Sequence, residues 1–216
     1  MKLYVYGSGG NGCELCDIAD KINLLEKRWG SVDFVDDIRE EKQWYGRNVY
    51  RFDEMLADKD AYECIISLGE PAHRLSLYGK LLKHGVSLAT IIDPSAEISP
   101  TASIGQGCFI GPRSFVSSNT KVDDNVMLEV HTIVGHDISI GKHTVISSCS
   151  VVGAKTQIGK ESFIGLNCTI KDRVNIGDYC VIGMGSCVFK DIDEGYIALG
   201  NPARPVRKNE ERRVFK

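Results

Sequence analysis

Residues 133–159 read IVGHDISIGKHTVISSCSVVGAKTQIG, and an aliphatic residue recurs in them at every sixth position: Val134, Ile140, Ile146, Val152 and Ile158. The same step continues without an insertion from Ile98 to Val188, and all sixteen positions on it are Ile, Val or Leu. Two residues ahead of each stands a residue that is mostly small or β-branched, such as Ala96, Cys108, Ser114, Thr120 and Ser186. The residue that follows is Gly in nine of the sixteen units, for example Gly105, Gly141 and Gly183. A helix repeats at 3.6 and a half-buried strand at 2, so neither explains a period of six. One buried aliphatic per six residues is the mark of a hexapeptide β-helix, in which three hexads make one triangular coil. Sixteen hexads give about five coils and, at ~4.8 Å per coil, a prism roughly 25 Å tall. The glycines are expected at turns where φ is unusual. Cys108, Cys168 and Cys180 fill the small-residue slot and need no functional explanation.

The hexads are absent from residues 1–92, which read instead as alternating strands and helices. Strands are expected at Lys2–Tyr6, Val32–Val35, Cys64–Leu68 and Leu88–Ile92, and helices around Cys13–Trp29, Asp53–Ala57 and Ala72–His84. This alternation predicts an α/β domain of βαβ type with a parallel sheet. The stretch DPSAEISP, Asp93–Pro100, joins it to the prism. The division expected is an α/β domain over 1–92, an all-β helix over 93–194 and a C-terminal segment over 195–216.

The stretch YVYGSGGNG, residues 4–12, fits G-x-G-x-x-G at Gly7, Gly9 and Gly12, with Asp36 and Asp37 downstream. By rule that is a dinucleotide fingerprint. Ninety residues, however, make only one mononucleotide-binding half, and a β-helix offers no place for a nicotinamide ring. NAD is therefore not expected. The loop is expected to hold a mononucleotide or nucleotide sugar through backbone N–H groups and the helix dipole. The competing reading is a tight turn that serves packing alone.

The bulk properties exclude other classes. A net charge of −3 gives no reason to expect nucleic acid or an anionic membrane as partner. No apolar run reaches the length of a membrane span, and the N-terminus reads as a strand and not as a signal peptide. Eight scattered cysteines without a framework spacing are expected to be reduced thiols in the cytosol. Cys13 and Cys16 form a C-x-x-C pair, but with no second pair to complete a zinc site they are read as small apolar helix residues.

Of five histidines, His73 and His84 fall in the third expected helix, and His131, His136 and His143 in the prism. His136 is the second residue after the inward Val134, so it should point outward near a turn, beside Asp137. A neighbouring carboxylate can orient an imidazole and raise its basicity.

The stretches YGSGGNG, FVDD (Phe34–Asp37), IISLGEPAHR (Ile65–Arg74), ATIIDPSAEIS, VGHDISIG, FIGLNCTI and LGNPARPV run in order through nearly the whole chain. Together they resemble the bacterial nucleotide-sugar N-acetyltransferases, the group that includes the bacillosamine-pathway 4-amino-sugar acetyltransferase and the sialic-acid O-acetyltransferases. The resemblance implies a half-Rossmann domain followed by a left-handed parallel β-helix, assembled as a homotrimer with active sites between adjacent prisms. It implies acetyl-CoA as co-substrate, no metal, and a nucleotide-activated amino sugar (a UDP-4-amino-4,6-dideoxy sugar) as acceptor. His136 would be the catalytic base and Asp137 its acidic partner. Ser8, Gly9, Gly10, Asn11, Asp36, Asp37, Gly69 and Glu129 would hold the acceptor. Gly165, Leu166, Gly183, Met184, Asn201, Pro202 and Arg204 would line the acetyl-CoA groove, with Arg204, joined by Arg207 and Lys208, at the phosphates.

Three positions depart from the group. Asn11 stands where the loop often has His, Val145 where a second His follows the base in many members, and Glu129 where some have Asn. Glu129 could bind a cationic amine or be a solvated turn residue. The expected chemistry is direct transfer of acetyl to a sugar amine, with His136 taking the proton and backbone N–H groups of a neighbouring coil holding the oxyanion. Two alternatives are sugar O-acetylation and a non-catalytic nucleotide-sugar binding protein. A third is a prism-shaped zinc enzyme, in which two histidines stand five apart as His131 and His136 do.

Overall fold

The computed structural model describes residues 1–215. It begins with β1 (Lys2–Tyr6), α1 (Gly10–Glu26), β2 (Ser31–Val35), β3 (Gln43–Trp44), β4 (Arg47–Tyr50), α2 (Phe52–Leu56), β5 (Tyr62–Ile66) and α3 (Pro71–Lys83). The sheet order is β3-β4-β2-β1-β5, with β4, β2, β1 and β5 parallel and β3 antiparallel at the edge. The three expected helices are present within a few residues of their predicted ends. The β3–β4 hairpin was not legible, because its strands are short and mostly exposed. The strand expected at Leu88–Ile92 divides: Leu88 bridges to Cys64, whereas Ile91–Ile92 pairs with Phe109–Ile110 and already belongs to the prism.

The prism has sixteen two-residue strands from Glu97–Ile98 to Cys187–Val188, one per hexad. Up to Thr169–Ile170 each pairs in parallel with the strand eighteen residues on, as Phe115–Val116 does with Ile133–Val134, which builds three flat faces. We number the faces in chain order: face one starts at Ile91–Ile92, face two at Glu97–Ile98 and face three at Ser103–Ile104. The inward aliphatics from Ile110 to Val188 are at most 3% exposed and form one continuous core with the small residues two places ahead of them.

The corners depart from expectation in an instructive way. Every sixth residue from Gly107 to Gly185 has φ between 52° and 70°, and twelve of these fourteen are not glycine. Three are Asn, two His and one Asp, the types that visit the left-handed region most readily. The glycines that follow the inward aliphatics are not at positive φ. They are glycines because successive coils stack too closely for a side chain: a Cβ at Gly141 would lie 2.5 Å from the Lys160 nitrogen, and at Gly159 2.4 Å from that of Asp178.

The three faces differ in what they show outward. On face one, Phe109, Met127 and Val145 are buried under the α/β domain, in a cluster with Leu3, Leu15, Ile18 and Ala19. Arg74 of α3 clips the two parts together. Its buried guanidinium donates to the carbonyls of Ile66, Leu68 and Asn125 and to the Asn125 side-chain oxygen at 2.7–3.1 Å. Face two shows an apolar ladder, Phe115, Ile133 and Val151, which stays 37–45% exposed. Face three shows Ser103, Lys121, Ser139, Gln157 and Asn175. Beyond the hexads, Tyr196–Leu199 extends face one and Arg204–Lys208 returns antiparallel to it.

Candidate functional site

His136 and Asp137 sit on the edge between faces two and three, opposite the face that carries the α/β domain. The left-handed corner turns the Asp137 carboxylate back onto the ring: Nδ1 of His136 lies 2.8 Å from Oδ2. Asn119, eighteen residues earlier on the same edge, donates to the other carboxylate oxygen at 3.3 Å. These hydrogen bonds, His136 first, hold the Asp137 carboxyl below its usual range. An ionised acceptor on Nδ1 keeps the proton there and leaves Nε2 as the basic nitrogen. The ring is half exposed and open to a ligand. Asn119 was missed by sequence reasoning, although its eighteen-residue spacing from Asp137 was a readable signal.

A groove of about 560 Å³ runs from His136 past Lys155, Lys171 and Arg173, with Phe189 and Asp191 at its far end. Lys155 and Arg173 are the next two corner residues above Asp137. Among the described residues none of these three cations has a carboxylate within salt-bridge distance, whereas Lys121, Lys142 and Lys160 on neighbouring surfaces are each paired. Asp172 and Asp191 in the same groove accept from the backbone N–H groups of Ala154 and Asn175. The Ala154 amide, one coil above His136, is thereby occupied and is not the free oxyanion donor that the neighbouring coil was expected to supply.

The glycine loop lies at the other side of the molecule. Gly7 has φ +107°, and a Cβ on Gly12 would meet the Gly7 carbonyl oxygen at 2.1 Å, so packing and backbone explain both. Gly9 and Gly10 have nothing within 4 Å of an added Cβ, and no side chain caps α1. Open space in front of an uncapped helix N-terminus suits a phosphate. Asp36 is turned inward on this loop: it accepts from the Ser8 N–H and hydroxyl and from the N–H groups of Ile38 and Arg39. Asp37 faces away from the loop, toward the Tyr6 hydroxyl, the Phe52 N–H and Lys80. Arg39, which donates to the Ser8 hydroxyl at 2.6 Å and covers the Trp44 ring, is the loop's cation and was not anticipated.

Between the loop and face one, the Asn11 amide reaches the Met127 sulfur and Gly69 lies beside Asn11. Glu129 stands on the edge between faces one and two, where its carboxylate accepts from the Ser148 N–H and hydroxyl. Burial raises the pKa of Glu14 on α1, and the charge of Glu129 adds to the rise. The same edge carries Gly165, Leu166, Gly183 and Met184, of which Leu166 and Met184 project into solvent. A Cβ on Gly165 would meet the Met184 nitrogen at 2.6 Å, so coil stacking already requires that glycine, whereas one on Gly183 would meet only the movable end of the Leu199 side chain. Asn201, Pro202 and Arg204 follow in the exposed return to the last strand.

In a single chain the candidate residues therefore fall into two groups on two edges. His136, Asp137 and the cationic groove occupy one; the glycine loop, Gly69, Glu129 and the residues expected to line the acetyl-CoA groove cluster near the other. His131 lies on the second of these edges, so it cannot share a metal with His136 in one chain. His143, on the third edge, is structural: its Nδ1 accepts from Asn125, and burial pushes its pKa down to about 4. All eight cysteines are free, and burial pushes the Cys16 thiol up to about 12.

A family model described as the GMPPB C-terminal domain matches residues 91–194. The acetyltransferase domain of PglB from Neisseria gonorrhoeae FA1090, solved in complex with acetyl coenzyme A, is 27% identical, with a TM-score of 0.88 over 95% of this chain and 98% of that one. WeeI from Acinetobacter baumannii AYE is similar in fold, at 24% identity and a TM-score of 0.89 over 95% of this chain and 100% of its own. So is PerB from Caulobacter crescentus, in complex with CoA and GDP-perosamine, at 21% identity and a TM-score of 0.88 over 96% and 98%. The likenesses run through both the α/β part and the left-handed β-helix, and the chain is similar over nearly its whole length to the PglB acetyltransferase domain, as the resemblance read from its sequence implied.

Proposed function

We propose that the protein is an acetyl-CoA-dependent N-acetyltransferase that modifies the amino group of a nucleotide-linked sugar. The observation that carries this reading is the His136–Asp137 pair, with a free ring nitrogen, opening onto a groove of unpaired cations. Lys155, Lys171 and Arg173 suit the phosphates of CoA, each a charge-assisted partner for an anionic oxygen. With the thioester against His136, the sugar amine attacks the acetyl carbon and Nε2 accepts the proton that the nitrogen sheds. Collapse of the tetrahedral intermediate expels the CoA thiolate, which takes a proton in turn, so the enzyme ends as it began. Asp137 steadies the imidazolium between the two steps.

The acceptor half-site favours nitrogen over oxygen. The carboxyls of Glu14 and Glu129, near enough for the charge of one to act on the other, would suit an ammonium before it loses its proton. The nucleotide would lie against Gly9 and Gly10, with Arg39 at its phosphates.

The two half-sites need a second chain, and face two supplies the means. Its ladder of Phe115, Ile133 and Val151 lies between the edge of His136 and the edge of Glu129 and Gly165. Burying three such ladders around a threefold axis would set the His136 edge of one subunit against the acceptor edge of the next. That arrangement supports our reading of a homotrimer with shared sites, and acetyl-CoA as co-substrate supports work in the cytosol. Among the described residues no helix is long and apolar enough to cross a membrane.

The test is a panel of UDP-, GDP-, dTDP- and CMP-linked amino sugars with acetyl-CoA, following release of free thiol. The reading expects one nucleotide amino sugar to be acetylated and its hydroxyl counterpart to be inert. Thiol release with the hydroxyl sugar alone would replace N- by O-acetylation, and none with any member would remove the activity.

A further inference from the structure

The chain does not stop at the prism's last strand. After Arg204–Lys208 it turns at Asn209, whose N–H donates to the Gly195 carbonyl, and lays the Arg212 guanidinium 3.7 Å over the Tyr179 ring. It then crosses to the α/β domain. There the N–H groups of Val214 and Phe215 both donate to the Glu70 carboxylate, at 3.0–3.1 Å. The Phe215 ring meets Phe163 of face one edge-on at 5.4 Å, and its edge approaches Gly69, next to Asn11.

Three features of this contact do not belong to ordinary packing. Glu70 is only 7% exposed, yet it makes no cap to its own helix, although it is the N-cap residue of α3. Its recorded partners are the two amides of the strap. Residues 210–213 stand exposed beside a cavity of about 690 Å³ lined by residues of the segment itself, so the segment is a strap held at its ends and by the Arg212–Tyr179 contact. And the carboxylate it covers lies beyond the C-terminal end of a strand in a parallel sheet, where α/β sheets place their ligands. A buried carboxylate presenting both oxygens to two adjacent donors is a receptor for a ligand edge carrying two neighbouring N–H or O–H groups, such as a ribose diol or a nucleobase.

We propose that the Val214–Phe215 strap is an intramolecular competitor for the acceptor site. It occupies Glu70 in the resting protein, and the nucleotide sugar must displace it to bind. The proposal rests on the reading of Gly69 and Asn11 as acceptor-site residues. An occupied strap lowers apparent affinity by the fraction of molecules in which the crevice is open.

The experiment uses the full-length chain with Val214→Pro and Phe215→Gly, which removes one donor and the ring and leaves the prism's strands intact. The KM for the nucleotide sugar is expected to fall about three- to tenfold, the factor by which the closed fraction had weakened it. The kcat and the KM for acetyl-CoA are expected to stay at wild-type values. A peptide with the sequence of residues 209–216, added to this variant, should inhibit competitively against the nucleotide sugar and not against acetyl-CoA. An unchanged or raised sugar KM, or inhibition competitive with acetyl-CoA, would overturn the proposal. A fluorescent form of the same peptide should bind the strap variant and lose that binding when Glu70→Ala is added. That arm needs no catalysis, so it separates failure of the strap from failure of the acetyltransferase reading. No binding there would also overturn the proposal.

Discussion

Replacing Ile133 with Glu tests whether face two is an interface without disturbing the core. The side chain points away from the prism, between Phe115 and Val151 in register above and below it. Fully burying a side chain of this kind stabilises by about 1.5–3 kcal/mol. With 37–45% of each still in water, the remaining burial contributes roughly 0.6–1.2 kcal/mol per residue, or about 2–4 kcal/mol per ladder. A carboxylate at the centre would forfeit the ladder's middle rung and add an unpaired charge that costs several kcal/mol more in an apolar contact. At about 1.4 kcal/mol per tenfold in an equilibrium constant, assembly should weaken by at least ~10²- to 10³-fold. Sedimentation velocity should show a folded monomer in place of a trimer, with a monomer circular dichroism spectrum like the wild type's. Acetyl transfer should fall with the trimer fraction, since the two half-sites then lie on separate molecules. A fully active monomer would refute the shared site, and an intact, active trimer would refute face two as the interface.

Other outcomes follow from individual side chains. Arg74→Met leaves the carbonyls of Ile66, Leu68 and Asn125 without their buried donor, and at about 1–3 kcal/mol per unsatisfied group, partly offset by regained solvation, chemical denaturation should show a loss of about 2–4 kcal/mol. His143 is held neutral in the fold, with a pKa of about 4 against 6.5, so the unfolded chain binds its proton first and stability should fall as pH drops from about 6.5 toward 4; His143→Gln should flatten that part of a melting-temperature profile. Gly9→Val meets no protein atom and should leave the stability of the free protein within ~1 kcal/mol of wild type, yet abolish the thermal shift given by a nucleotide sugar while sparing that given by CoA; equal shifts in the variant would move the nucleotide elsewhere.

The hexads made the prism legible because a coil must bury one aliphatic at each face, and that requirement prints itself on the sequence at Val134, Ile140 and every sixth place between Ile98 and Val188. The reason for the glycines was not legible. A requirement for positive φ and a requirement for close approach both select glycine, and only the distance from Gly141 to Lys160 tells them apart. His136 and Asp137 were readable as a pair because adjacency in sequence survives folding. Their neighbours Asn119, Lys155 and Arg173 are adjacent only after eighteen- and thirty-six-residue steps around the prism. The acidic pair Asp36–Asp37 was read as one part of the acceptor site, and the fold divides it. Successive residues at a strand end point to opposite sides of the sheet, so one carboxylate holds the glycine loop while the other packs toward Lys80. The separation of the two half-sites follows from which face carries the α/β domain, and no local pattern announces that.

The measurement that bears most directly on the central claim is acetyl transfer by His136→Ala, beside wild type, with acetyl-CoA and the nucleotide amino sugar that the panel selects. His136 is exposed on a corner and holds nothing but Asp137, so the variant should remain a folded trimer with an unchanged KM for acetyl-CoA. Loss of a general base predicts a fall in kcat of about 10²- to 10⁴-fold, or roughly 3–5 kcal/mol of barrier, with Asp137→Asn losing less because it orients the ring and takes no proton from substrate. A kcat within threefold of wild type would contradict the assignment of His136 as the base.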